Sequence, residues 1–287
     1  MEKLTLTEKD IIQPMLQLLP EKLWVYYFPV LLSNNSVYVD RIDGVTVLIL
    51  KENGTWDLLI PPLGNYSNGT LENIFNYLKE LNSSTDGAIL NCTGSFIQKL
   101  DPDRYTFKLD CWDYIYDKKE QLALCGKKFS EIRNHINNFQ KNNNYTVSSY
   151  SSEDYEECDR LFNGWKDKKQ GNGTVMDEHI AQMFQNLCLF PDMFGIVVRV
   201  DGKLVGFSIG GLLQPDEAIC IIRKTDYRYR GLSEFIDHCF YRHIPERVNL
   251  VNDGDDLNSE SLKLYKMKWK PVGFRNYYTV KQNNANS

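Results

Sequence analysis

The sequence predicts an α/β protein in which mixed central sheets are flanked by helices. Short runs rich in β-branched and aromatic residues, bounded by Gly, Asp or Asn turns, predict strands. Longer segments between them carry apolar residues at helical spacing and predict amphipathic helices. The order hairpin, strand, helix, strand occurs in both halves of the chain, although the halves share no repeat at the level of residues.

In the first half, the Asp43-Gly44 turn separates two predicted strands, and a third strand ends at Pro61-Pro62-Leu63-Gly64. After the start at Asn68-Gly69-Thr70, apolar residues recur on one face and predict a helix. These apolar residues are Leu71, Ile74, Phe75, Leu78 and Leu81. The predicted strands of this half cover residues 36–40, 45–50, 56–60, 87–92 and 105–110.

In the second half, Asp201-Gly202-Lys203 is a turn signal between two β-rich runs, so a hairpin is predicted. A polar start with Asn258 and Ser259 predicts a capped helix near the end of the chain. The predicted strands cover residues 194–200, 204–211, 218–222, 248–252 and 277–280. The predicted helices of this half cover residues 233–241 and 258–266.

A short turn lies between the predicted strand 218–222 and the helix that follows it. Its residues are Arg228, Tyr229, Arg230, Gly231, Leu232 and Ser233. A helix start offers unpaired N–H groups and the positive end of the peptide dipoles, and a glycine there lets an anion approach the backbone. The turn therefore predicts a phosphate cradle, and the ordinary alternative is a plain turn into an amphipathic helix.

The length and composition predict two globular domains. The chain has 287 residues, of which 42% are hydrophobic and 13% aromatic, enough for two buried cores. We predict an N-terminal domain over residues 1–140 and a C-terminal domain over 141–287 that carries the phosphate turn. No apolar run approaches the ~18 residues that span a bilayer, and the first residues lack a signal peptide's apolar core. We therefore expect a cytoplasmic protein.

The cysteines and histidines predict neither a disulfide framework nor a metal site. Seven cysteines contain no C-x-x-C pair, which favours reduced thiols. Four histidines are scattered, and His238 and His243 are five residues apart rather than the four that a helical metal pair prefers. Neither a G-x-S-x-G elbow nor a papain-like cysteine context is present.

Several motifs carry a resemblance to known families. The Arg-x-x-Gly-x-Ser order of the phosphate turn resembles the pyrophosphate-binding turn of the GNAT acetyltransferase superfamily. The stretch "DYIY…L-x-L-x-GKKF-x-x-x-RNHINNF", over residues 113–139, strongly resembles the family built on the C-terminal domain of bacterial phosphatidylglycerol lysyltransferases. The turn at 61–64 and the ending at 255–271 also fit, so the resemblance covers about residues 20–280. It implies two GNAT-like folds in tandem, an architecture that Fem-type aminoacyltransferases share.

The resemblance also implies a reaction. Members with assigned chemistry move an aminoacyl group from tRNA to a lipid head group, so we expect an acyltransferase without a tightly bound cofactor. Its donor is either acyl-CoA or aminoacyl-tRNA, and its acceptor is a small molecule, a peptide or a lipid head group. The sequence departs from the family at Arg223-Lys224-Thr225, where an acidic residue is expected, and at the Asp253-Gly254 turn, which shifts an acidic cluster.

The helix predicted after Gly126 has a basic face and an apolar face. The cations Lys127, Lys128 and Arg133 recur at helical intervals and are candidates to contact an anion or RNA. The apolar stripe consists of Phe129, Ile132, Ile136 and Phe139. The alternative is a solvated helix whose cations pair with nearby acids.

Overall charge does not discriminate between the two donors. The net charge is −5 and the pI is near 5.5, whereas a protein that follows a long RNA backbone usually has a basic domain or stripe. The basic patches, at residues 127–133, 166–169, 223–230 and 263–270, are local. They suit a tRNA acceptor end and a coenzyme A pyrophosphate equally well.

The catalytic candidates follow from what acyl transfer needs, namely a neutral acceptor, a polarised carbonyl and a protonated leaving group. Tyr265 occupies the place of the GNAT tyrosine that protonates the leaving thiolate, and packing on Trp269 is its alternative role. The other candidates are Asp255, Asp256 and Glu217 as bases or acceptor contacts, and Lys266 as a donor contact. The competing function class is a non-catalytic GNAT-like protein that binds a nucleotide, an RNA end or a peptide.

Overall fold

The computed structural model describes residues 1–168, 184, 189, 190 and 192–283. The helices are α1 (Lys9–Gln17), α2 (Phe28–Ser33), α3 (Asn68–Leu81), α4 (Gly94–Ile97), α5 (Lys118–Ala123), α6 (Ser130–Asn142), α7 (Tyr155–Lys168), α8 (Leu232–His243) and α9 (Glu260–Lys268). The strands are β1 (Glu2–Lys3), β2 (Val37–Ile42), β3 (Val45–Glu52), β4 (Thr55–Leu58), β5 (Ile89–Cys92), β6 (Tyr105–Asp117), β7 (Tyr145–Ser149), β8 (Met193–Val200), β9 (Lys203–Gln214), β10 (Glu217–Thr225), β11 (Leu250–Asn252) and β12 (Gly273–Gln282). The predicted α/β class is confirmed.

Contacts group the chain into two compact units. Unit 1 comprises Met1–Asp113 and Arg275–Ser287, and unit 2 comprises Tyr114–Phe274. A compact unit is not the same thing as a domain that folds alone. The predicted domain boundary between residues 140 and 141 therefore stays a prediction.

Unit 1 is built on a mixed sheet in the order β1-β2-β3-β4-β5-β12-β6. Strands β4 and β5 pair in parallel, and β2 with β3 and β3 with β4 pair antiparallel. Helix α3 begins where the Ser67 side chain accepts the Thr70 N–H, which satisfies a donor that the first turn leaves unpaired. The predicted apolar face of this helix packs on the sheet, since Leu71, Ile74 and Leu78 belong to the buried core.

Unit 2 is built on a mixed sheet in the order β6-β11-β10-β9-β8-β7. Strands β10 and β11 pair in parallel, and the Asp201-Gly202 turn joins the antiparallel pair β8 and β9. Parallel pairing requires a crossover connection, which helix α8 supplies between β10 and β11. This arrangement places the end of β10, the start of α8 and the loop after β11 at the same end of the sheet, where the parallel strands β10 and β11 finish.

Several strands are longer in the structure than the sequence indicates, and the extensions are longest in β6 and β12. Strand β6 runs through Tyr105–Asp117, whereas the predicted strand ends at residue 110, because the last residues of β6 pair with β11. Strand β12 starts at Gly273 rather than at Tyr277. In the described part of the chain, no helix is long and apolar enough to cross a membrane.

Candidate active site

Unit 2 holds a largely buried arginine between two aspartates at the end of strand β10. The Nη2 of Arg223 donates to Asp253 Oδ1 at 2.9 Å, and its Nε pairs with Asp237 Oδ1 on α8. The side chain of Arg223 is 15% exposed and that of Asp237 is 2% exposed, so these charges depend on one another rather than on water. We call Arg223, Asp237, Asp253, Tyr265 and Lys266 the Arg223 cluster.

Burial and charge act in opposite directions on the two carboxyl groups. Burial raises the pKa of Asp237 to about 7, although the charge of Arg223 opposes the shift. Burial also acts to raise the pKa of Asp253, but the positive charges of Arg223 and Lys266 bring it below its ordinary value. Burial acts to lower the pKa of Arg223, yet the two aspartates hold it well above its ordinary value. Asp237 is therefore the member of the cluster that can gain or lose a proton near neutral pH.

Tyr265 is joined to the cluster through its hydroxyl, which donates to Asp237 Oδ2 at 2.7 Å. Burial, followed by the charge of Asp237, raises the pKa of Tyr265 well above its ordinary value. The aromatic partner of Trp269 is Tyr241, with ring centroids 5.9 Å apart. The structure thus gives the Tyr265 hydroxyl a polar partner of its own, and its role in chemistry stays a prediction.

Lys266 is oriented toward the loop after β11. Its Nζ donates to the carbonyl oxygen of Gly254 at 3.1 Å and to that of Asp253, and lies 3.5 Å from Asp253 Oδ2. The residue is 5% exposed, and its ammonium also lies 5.5 Å from the centroid of the Tyr114 ring. In this conformation the cation stabilises the loop, so a contact between Lys266 and a donor stays a prediction.

The three acidic candidates lie in two different places. Asp256 accepts the Tyr114 hydroxyl at 2.6 Å and the Asn258 N–H at 3.1 Å, and half-buried Asp255 precedes it in the same loop. Glu217 is buried at the start of β10, six residues before Arg223, which corresponds to about 20 Å along a strand. The structure brings Asp255 and Asp256 to the end of the sheet that holds the Arg223 cluster and leaves Glu217 at the opposite end.

The predicted phosphate turn is exposed on one side and closely packed on the other. Arg228 is 73% exposed, and its Nε donates to the two carboxylate oxygens of Asp226 at 3.0 and 2.9 Å. Gly231 has a φ of +84°, and a Cβ added there would overlap the carbonyl oxygen of His135 on α6. The missing side chain of Gly231 therefore makes room for a neighbouring helix. Binding of a phosphate at this turn stays a prediction.

The remaining residues of the turn fix its backbone. Tyr229 N–H donates to Asp226 O at 3.1 Å, and Leu232 N–H donates to Tyr229 O at 3.2 Å. The hydroxyls of Ser233 and Thr225 lie 3.0 Å apart. Arg230 is exposed, and within the described residues it makes no ion pair. Arg230 is therefore the cation of the turn with the most freedom to meet an anion.

The predicted apolar stripe of helix α6 and the turn before it is confirmed, and its cations have different surroundings. The stripe is buried at Phe129, Ile132, Ile136 and Phe139. Lys128 pairs with Glu120 at 2.9 Å, and Arg133 Nη1 donates to the carbonyl oxygens of Gly126, at 2.8 Å, and Leu124. Exposed Lys127 makes no ion pair in the described part of the chain. An RNA contact by these three cations stays a prediction.

A second charged group lies beside the Arg223 cluster. Lys268 Nζ pairs with Glu234 Oε1 at 2.6 Å and with Glu131 Oε1 at 3.0 Å, and His135 Nδ1 lies 2.8 Å from the same Glu234 oxygen. Burial acts to raise the pKa of Glu234, but the hydrogen bonds from Lys268 and His135 bring it below its ordinary value. Glu234 and Asp237 are buried on one helix, so a search for polar residues among the apolar positions of α8 would have found both.

Two further points concern the predicted basic patch at residues 166–169 and possible metal ligands. The side chains of the predicted basic patch at 166–169 lie outside the described residues. Among the residues that the structure describes, no group of three or more His, Cys, Asp or Glu side chains is placed to hold a metal ion.

Comparisons with known proteins place this geometry in context. The family model described as "Phosphatidylglycerol lysyltransferase, C-terminal" matches residues 28–281. A conserved protein of unknown function from Bacteroides thetaiotaomicron is 22% identical, with a TM-score of 0.87, and the match covers 98% of this chain and 98% of that chain. No protein in the curated set matches the chain by sequence.

Two other solved structures share the fold. L-PGS from Bacillus licheniformis is 15% identical, with a TM-score of 0.70, over 99% of this chain and 94% of that chain. A tandem GNAT protein from the clavulanic acid biosynthesis pathway is 11% identical, with a TM-score of 0.54, over 100% of this chain and 99% of that chain. These likenesses confirm the predicted tandem GNAT-like fold.

Proposed function

Because the chain belongs to the phosphatidylglycerol lysyltransferase C-terminal family, we propose that it is an aminoacyltransferase that takes its aminoacyl group from tRNA. The observation that carries the proposal is the family match over residues 28–281 of a 287-residue chain. The family name supports an aminoacyl donor over acyl-CoA. It also supports a hydroxyl of a lipid head group as the acceptor, with an amine as the second choice.

The Arg223 cluster supplies the proton chemistry that such a transfer needs. The acceptor loses a proton as it attacks the ester carbonyl, and the departing ribose oxygen gains one. Tyr265 donates a proton to the leaving oxygen, Asp237 in its protonated form, with a pKa of about 7, returns a proton to the tyrosine, and the proton that the acceptor loses restores Asp237. Arg223 limits the cost of the negative charge that forms on this pair.

The phosphate turn and the start of helix α6 supply the donor contacts in this proposal. Exposed Arg230 and Lys127 attract the phosphates of the tRNA acceptor end, and Arg228 contributes after it releases Asp226. Asp255 and Asp256 lie in the loop that precedes α9, where they would hold a cationic amino acid or acceptor.

A non-catalytic binding protein is the second candidate. Two observations favour it: the Tyr265 hydroxyl already donates to Asp237, and Lys266 already donates to loop carbonyl oxygens. A site whose polar groups satisfy one another can hold a ligand without turnover.

The test is a transfer assay with labelled donors. Lysyl-tRNA and a mixture of other charged tRNAs, each with a radiolabelled amino acid, are incubated with the purified protein and phosphatidylglycerol vesicles or a primary amine. A parallel arm uses labelled acetyl-CoA. We expect labelled product from charged tRNA. Transfer from acetyl-CoA alone would overturn the donor assignment, and tight donor binding without product from either arm would establish the binding protein.

A further inference from the structure

A cavity in unit 1 lies among parts of the chain that the proposed reaction does not use. Its volume is about 270 Å³, close to the lower end of the size range of small-molecule sites. Its walls come from the end of α1 and the loop after it, from the proline turn at residues 61–64, and from the start of α4. Every lining residue belongs to unit 1.

The proline turn gives the cavity a fixed wall. Thr46 and Leu63 exchange two backbone hydrogen bonds, at 3.1 and 2.9 Å, which hold the turn against strand β3. Gly64 then adopts a φ of +122°, a conformation that favours glycine. This bend directs the chain so that Tyr66 lines the cavity.

The polar groups of the cavity point to an ammonium ligand. Glu21 Oε2 accepts the Ser95 N–H at 3.1 Å, and within the described residues the other carboxylate oxygen accepts no hydrogen bond. The aromatic residues Tyr26 and Tyr66 line the same cavity. In the described part of the chain the Tyr66 hydroxyl makes no hydrogen bond. A carboxylate combined with aromatic residues is a recurrent way to bind an ammonium group.

Apolar walls and a rim cation define the rest of the ligand. Met15 and Leu18 line the cavity, and Leu18 is 84% exposed, so an aliphatic chain would cover apolar surface there. Lys99, two residues after the end of α4, also lines the cavity and is exposed, so its ammonium can reach the solvent side of the cavity. An anionic group on the same ligand, toward solvent from the ammonium, would meet Lys99.

We propose that this cavity binds a small zwitterionic amine, with its ammonium at Glu21, its aliphatic carbons on Met15 and Leu18, and its anionic group at Lys99. Glu21 and the end of α1 precede residue 28, where the family match begins. The site is thus built partly from a segment outside the matched region. It does not depend on the proposed function.

The test measures the binding of three matched probes by ligand-observed NMR and by calorimetry. 6-Aminohexanoate carries both charges on an aliphatic chain, hexylamine lacks the carboxylate, and hexanoate lacks the ammonium. We expect 6-aminohexanoate to bind most tightly and hexanoate least tightly. Absence of saturable binding by any probe up to about 10 mM, the weakest affinity expected of so small a ligand, would overturn the proposal.

Three variants localise the binding. Glu21→Gln should weaken 6-aminohexanoate about tenfold or more, because it removes a charge-assisted contact. Lys99→Gln, at an exposed position, should weaken 6-aminohexanoate and leave hexylamine unchanged. Glu52→Gln, at an exposed glutamate of β3 outside the cavity lining, is the matched control. Equal affinities across all three variants would place the probes elsewhere and contradict the proposal.

Discussion

The predicted phosphate turn and the Arg223 cluster adjoin the same strand of unit 2, but their charged side chains differ in how far water reaches them. In the turn, Arg228 is 73% exposed and its pairing with Asp226 competes with water. In the cluster, Asp237 is 2% exposed, so water cannot replace its contact with Arg223. The comparison teaches that Arg223, where the sequence led us to expect an acidic residue, is held by two carboxylates that are themselves shielded from water.

The largest expected effect follows from removing the cation of the cluster. Arg223→Met removes the guanidinium that pairs with both buried carboxyl groups, so we expect the free energy of unfolding at pH 8 to fall by about 3–5 kcal/mol. Urea denaturation measures this change. Arg228→Met is the matched control from the turn, and its unfolding midpoint should equal that of the parent. Equal losses in the two variants would show that burial does not distinguish the two regions.

A smaller loss of stability is expected from a substitution where the turn contacts helix α6. Gly231→Ala adds a Cβ that overlaps the carbonyl oxygen of His135, at a φ of +84°. Gly202→Ala has a similar φ of +80° but meets no atom within 4 Å. We expect Gly231→Ala to lower the free energy of unfolding by about 1–3 kcal/mol more than Gly202→Ala does. Thermal or urea denaturation of both variants would show it, and identical losses would mean that the turn moves away from α6 at little cost.

The pH dependence of stability tests the state of Asp237. Its pKa of about 7 in the folded protein lies above the value of an unfolded aspartate, so between pH 4 and 7 the folded protein keeps a proton that the unfolded chain releases. This contribution to stability is present below about pH 4 and is lost as the pH rises to about 7. The free energy of unfolding of the parent, relative to Asp237→Asn, should therefore fall from pH 5 to pH 8. The opposite slope would show that Arg223 lowers the pKa of Asp237 instead.

The smallest effect is expected at the start of helix α6. If Lys127 and Lys128 contact tRNA phosphates, replacing both by Gln should reduce the salt dependence of tRNA binding by about two phosphate contacts. Arg133 donates to two loop carbonyl oxygens, so Arg133→Gln should alter the stability of the loop more than the salt slope. Filter binding at several salt concentrations measures the slope. A slope that changes only in Arg133→Gln would reverse this assignment.

Much of the fold could be predicted from the sequence because its signals are local. The β-rich runs around Asp201-Gly202 became β8 and β9, and the apolar spacing after Asn68 became α3. The end of β6 was not predicted, because its extent depends on pairing with β11, more than 130 residues later.

The site was less predictable for the same reason. The phosphate turn was predicted from a short motif and stays a prediction, but the packing of His135 against Gly231 joins residues far apart in sequence. Likewise, Arg223 meets Asp237 and Asp253 across two connections, and no periodicity indicates such pairs. The sequence drew attention to Arg223 as an expected departure from the family pattern, but it could not show that Asp237 and Asp253 neutralise the cation.

The central claim is that Tyr265 takes part in acyl transfer from charged tRNA, and the kinetics of Tyr265→Phe test it most directly. The substitution removes the hydroxyl that donates to Asp237 and keeps the ring. A general acid acts mainly in the transition state, so kcat should fall by about 10²–10⁴-fold with little change in KM. A Phe variant with the parental kcat on every active donor would contradict the claim and would leave Tyr265 as a structural partner of Asp237.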